Sequence, residues 1–105
     1  MKVTEKSALN GFAALSQETR LRIVRLLVTA GPTGLAAGAI AEQVGGSSSR
    51  MSFHLSHLEQ AGLVRSRREG RSIIYSVSFP ALNGLVEFLT HNCCKGHANP
   101  HPFVH

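Results

Sequence analysis

The chain of 105 residues has no aspartate, no tryptophan, a single tyrosine and only two cysteines. The two cysteines are neighbours, Cys93 and Cys94. Adjacent Cα atoms lie about 3.8 Å apart, short of the roughly 4.4 Å at which disulfide geometry begins, so a bond within the pair would be strained. This is no secreted disulfide framework; it reads as a reduced dithiol, available to a soft metal or metalloid. No apolar run reaches the ~18 residues of a membrane span. The opening residues, Met1 to Lys6, lead into no apolar signal segment, so a cytoplasmic location is expected. Acidic residues are also few. Six glutamates face eleven Lys and Arg, for a formal net charge of +5. Eight of the eleven cations are arginines, which favour bidentate contact with phosphate or guanine. That balance suits a polyanion, most simply nucleic acid, although positive charge also serves solubility alone.

What is present fits a globular domain. Apolar residues make up 43% and charged residues 16%, unlike a disordered chain. The length allows one domain and leaves much surface exposed unless the chain pairs with something. Periodicity predicts a first helix from about Thr4 to Leu15, with Ala8, Leu9, Phe12 and Ala13 on one side. Ser16 is the expected cap of a second helix whose core stripe is Leu21, Val24, Leu27 and Val28, widened by Ile23 and Leu26. Gly31-Pro32 ends it. A third helix is expected over Gly34 to Val44, and a fourth over Ser49 to Gln60 with Met51, Leu55 and Leu58 buried. The period then changes. Leu63 to Arg68 and Arg71 to Ser78 read as two strands around a Glu69-Gly70 turn. Pro80 opens a last helix, capped by Ser78 or Phe79, with Leu82, Leu85, Val86 and Leu89 on its apolar face. Residues 1–92 thus form the domain. Residues 93–105 form an aperiodic tail, expected to be flexible, that begins with the cysteine pair.

The expected fold is mainly α with a small β-hairpin (α+β): a winged helix-turn-helix of about five helices and a two-stranded wing. In such a fold the second helix of the motif offers a polar face to the major groove and buries the other. Ser47, Ser48, Ser49, Arg50, Ser52 and Phe53 lie off the buried stripe, and Arg50 can reach a guanine edge. The hydroxyls can bond phosphate. His54 and His57, at i, i+3, read as core or phosphate-contacting histidines rather than a metal pair. The wing carries Arg65, Arg67, Arg68 and Arg71 against one Glu69, enough to line a phosphate backbone or enter a minor groove. The apolar stripes of the first and last helices exceed what a monomer of this size easily buries, which argues for a homodimer.

Three stretches carry a family resemblance. Leu15-Ser16-Gln17-Glu18-Thr19-Arg20-Leu21-Arg22-Ile23-Val24 resembles a signature of the ArsR-type metal-responsive repressors. Met51 to Val64 resembles their recognition helix, and Glu69 to Tyr75 their wing turn. The resemblance implies a cytoplasmic homodimer joined through its first and last helices, binding an inverted repeat in double-stranded operator DNA. It also implies that an effector weakens DNA affinity. Two sensor sites of that family do not fit. Leu35 to Ile40 holds no thiol, and the last helix has no aspartate for a zinc site. Phe88-Leu89-Thr90-His91-Asn92-Cys93-Cys94 resembles the ending of an arsenic-responsive subgroup. The implied inducer is trivalent arsenic, as arsenite or methylarsenite and by extension antimonite, held by Cys93 and Cys94. The subgroup's third cysteine is missing. Either two thiolates suffice, as for a methylated arsenical, or solvent, His97, His101 or the other subunit completes the site. Zinc, cadmium or thiol oxidation are the other effectors compatible with a dithiol. An arsenic-handling thiol enzyme would need a helix N-terminus or Cys-x-x-Cys pair that is absent, so no catalytic residues are expected.

Overall fold

The computed structural model describes residues 3–91. Thr4 and Ser7 open helix α1 (Glu5–Leu15) with a reciprocal cap: the Ser7 N–H donates to Thr4 Oγ1 at 3.1 Å, and the Thr4 N–H to Ser7 Oγ at 3.0 Å. Helix α2 (Glu18–Ala30) is capped by Gln17, whose side-chain oxygen accepts the Arg20 N–H at 2.8 Å. Ser16 is not that cap. It closes α1 instead, its hydroxyl donating to the Ala13 carbonyl at 2.8 Å.

The buried stripe of α2 is Arg20, Ile23, Val24 and Leu27, at i, i+3, i+4, i+7. Leu21 and Val28 are exposed, so the expected stripe is rotated. The physical reason is Arg20. A pattern of apolar residues skips it, yet it is 8% exposed and its Nε donates to the Ala14 carbonyl at 2.8 Å.

A short 3₁₀ turn, Gly31–Thr33, follows α2. Strand β1 (Leu35–Ala36) then pairs antiparallel with the hairpin, and only afterwards does α3 (Ala37–Val44) begin. The expected third helix therefore loses its first turn to a strand. Gly34 allows this. It takes φ +70°, and a Cβ there would lie 2.3 Å from the Tyr75 carbonyl oxygen.

Gly45 and Gly46, both at positive φ, and Ser47 turn the chain into α4 (Ser48–Gln60). Strands β2 (Val64–Glu69) and β3 (Ser72–Val77) pair from Val64 with Val77 to Glu69 with Ser72. The two-residue loop is therefore Gly70-Arg71, one residue beyond the expected Glu69-Gly70. Gly70, at φ +62°, takes the first central position that favours glycine in hairpins. The sheet order is β1-β3-β2, so the wing is three-stranded at its root. Helix α5 (Phe79–Thr90) is capped by Ser78, whose Oγ accepts the Ala81 N–H. Five helices and an antiparallel sheet make up the expected fold class, with the one added strand. Ile23, Leu27, Ile40, Met51, Leu55, Leu58, Leu63 and Val64 fill the centre, each burial contributing about 1.5–3 kcal/mol.

Candidate nucleic-acid interface

Met51, Leu55 and Leu58 hold α4 to the core, which turns the rest of the helix outward. Ser49, Arg50, Ser52, Phe53 and Ser56 are exposed on it. Ser47 Oγ accepts the Arg50 N–H at 3.3 Å, so this hydroxyl serves as the helix cap. Ser56 belongs to the same exposed surface. It lies one turn beyond Ser52, a spacing legible in the sequence but not used there.

His54 is half-buried, with Nδ1 3.3 Å from Arg20 Nη1. A guanidinium only donates, so Nδ1 accepts and the imidazole is neutral with its proton on Nε2. Burial lowers the His54 pKa below 6.5, and the charges of Arg20, His57 and Arg50 lower it further. Arg20 thus joins the last turn of α1 to α4, a role the apolar pattern concealed. His57 is half-buried, and its ring meets the edge of Phe53 at a centroid distance of 6.3 Å.

The wing arginines divide. Arg67 is tied inward: Nη2 donates to the Thr33 carbonyl and Nε to Glu69 Oε2, each at 2.7 Å. Arg65, Arg68 and Arg71 are exposed and make no ion pair among the described residues. Below them the Ser66 hydroxyl donates to Glu59 Oε2 at 2.7 Å, fastening the wing to the end of α4. Burial and the Glu59 carboxylate raise the Tyr75 pKa above 10.0.

Among the described residues no group of three His, Cys, Asp or Glu could hold a metal ion. Cys93, Cys94, His97 and His101 lie outside those residues, as does the tail. No helix among the described residues is long and apolar enough to cross a membrane.

Comparison with known proteins places this arrangement. Residues 15–67, half of the chain, match a helix-turn-helix domain family. The chain is 36% identical over 75 residues to a probable mercury resistance operon repressor of Streptomyces lividans, covering 71% of this chain and 58% of that protein. It superposes with a TM-score of 0.71 on an ArsR-like transcriptional regulator from Rhodococcus sp. RHA1, 33% identical and covering 80% of this chain and 76% of that one. A homodimeric winged helix-turn-helix DNA-binding domain from Mycobacterium bovis, a possible ArsR-family regulator, matches with a TM-score of 0.67 at 29% identity, covering 91% and 89%. Shared fold, shared sequence and the matched domain agree, and the chain belongs to the ArsR-type family of winged helix-turn-helix transcription regulators.

Proposed function

We propose that the protein is a DNA-binding repressor that leaves its operator when trivalent arsenic binds Cys93 and Cys94. The observation that carries the DNA part is the outward face of the first two turns and middle of α4, where the exposed side chains are Ser49, Arg50, Ser52, Phe53 and Ser56. It belongs to a cationic chain whose wing bears three arginines with no ion pair among the described residues. Polar groups position on phosphate, and base edges are read from the helix.

The active form is a homodimer through α1 and α5. Leu9 on α1 is 63% exposed, and Val86 and Leu89 on α5 are 62% and 68% exposed. A second copy covering these side chains accounts for their exposure, and the Mycobacterium bovis relative is homodimeric. A two-fold dimer fits an inverted repeat with half-site centres about 10–10.5 base pairs apart, or a multiple.

The arsenic part is supported by the vicinal thiols and by the resemblance of Phe88 to Cys94 to the arsenic-responsive ending. Thiolates are the soft ligands that a thiophilic metalloid requires. Two cysteines match the two exchangeable positions of methylarsenite, so methylarsenite should release DNA at least as well as arsenite. The mercury-resistance relative makes a thiophilic metal the second reading. The test is a gel shift on a two-fold operator, titrated with arsenite, methylarsenite, antimonite, mercury, zinc and cadmium. Cys93→Ser and Cys94→Ser are expected to bind DNA normally and to release it no longer. Normal release from either variant removes the dithiol as the sensor.

A further inference from the structure

We propose that Phe53 is the side chain with which α4 recognises the 5-methyl group of thymine in the major groove. This deepens the DNA-binding reading and rests on it. Phe53 lies two residues from buried Met51, about 200° around the helix at ~100° per residue, and so points away from the core stripe. The residue is 64% exposed. Around it on α4 stand Ser49, Ser52 and Ser56, all exposed, so the phenyl is an isolated apolar group on a polar face. Among the described residues the other exposed large apolar side chains lie on other elements: Leu9 on α1, Leu21 and Val28 on α2, Ile73 on β3, and Val86, Phe88 and Leu89 on α5.

The ring is also held. Its centroid is 5.6 Å from that of His54, with planes at 65°, and His57 meets it at 76°. His54 is in turn fixed by Arg20. An exposed phenyl supported by two rings loses little freedom on binding. The chemistry then selects the target. Phenyl neither donates nor accepts a conventional hydrogen bond, and among major-groove base edges only thymine presents an apolar group. Arg50 is exposed on the same helix, and the exposed wing arginines 65, 68 and 71 belong to a chain of net charge +5, which matches a nucleic acid rather than an apolar protein partner.

The experiment uses the full-length protein and a duplex selected from a random pool. Each thymine in a half-site is replaced in turn by uracil, which removes the methyl group alone. At one position affinity should fall about fourfold per half-site, and about 15-fold when both are changed, the value of one buried methyl. Phe53→Ala should bind the thymine and uracil duplexes equally, while Phe53→Leu should keep part of the difference. The proposal is overturned if no uracil weakens binding, or if Phe53→Ala loses as much as wild type. It is also overturned if Phe53→Ala alters the oligomeric state and leaves DNA affinity unchanged, which would make Phe53 a protein contact. A wild-type protein that binds the selected duplex no better than a scrambled one overturns the DNA-binding reading itself.

Discussion

Arg20 shows how a charged residue can belong to a core. Its Nε satisfies the Ala14 carbonyl and its Nη1 meets His54, so each of these groups has a partner despite burial. The pair makes stability depend on pH. The His54 pKa is lowered in the fold, so the unfolded chain, titrating near 6.5, takes up the proton first as pH falls. The stabilisation from neutral His54 is therefore complete above about pH 6.5 and is lost as pH falls through the lower, folded-state value. Wild-type Tm should drop from pH 7.5 to 5.5. His54→Asn keeps an acceptor for Arg20 without the titration, and should show a shallower drop by calorimetry across the same range. Equal slopes for the two proteins would dissociate the imidazole from this effect.

Secondary structure was legible mainly where it depended on neighbours in sequence, although the α2 cap fell on Gln17 rather than Ser16 and the hairpin turn one residue later than expected. Thr4, Ser47 and Ser78 cap their helices because a short hydroxyl side chain reaches the free N–H groups of the first turn. The buried stripe of α4 followed directly from the spacing of Met51, Leu55 and Leu58. Strand β1 was not legible, because Leu35 and Ala36 become a strand only by pairing with Tyr75 and Ile74, some forty residues away. The position of Arg67 was hidden for the same reason: its acceptor on Thr33 is 34 residues distant. Gly34 carries this long-range join. Gly34→Ala forces a left-handed φ on alanine and pushes a methyl group into the Tyr75 carbonyl. It should cost about 2–3 kcal/mol, lowering Tm by roughly 10 °C or more. Gly38→Ala, with nothing within 4 Å of the new Cβ and a helical position, should instead gain up to about 1 kcal/mol. Thermal unfolding of the two variants separates a backbone requirement from simple loss of glycine.

For the molecule as a whole, charge and shape serve the same surface. The net charge of +5 predicts a steep salt dependence of DNA binding. Not every wing arginine contributes alike. Arg68→Ala and Arg71→Ala should each flatten the slope of log affinity against log salt by up to about one unit for each phosphate no longer neutralised. Arg67→Ala should change that slope less and lower thermal stability more, because its guanidinium is spent on Thr33 and Glu69. Fluorescence anisotropy between 50 and 200 mM salt measures the slopes, and a larger slope change for Arg67 than for Arg68 and Arg71 would contradict this division.

The tie from Ala14 through Arg20 to His54 has a mechanical consequence. One guanidinium spans the end of α1, the start of α2 and the middle of α4, while Ser66 and Glu59 lock the wing to the far end of α4. On the proposed dimer each subunit would therefore act as a stiff lever, with its fulcrum at the dimer helices and its tip in the groove. If the proposed inducer binds the cysteines that follow α5 in sequence, what it would adjust is the gauge between two tips, which must match a helical repeat of about 34 Å. A tilt at the fulcrum would then move both tips out of step with the DNA, and neither tip would have to change shape.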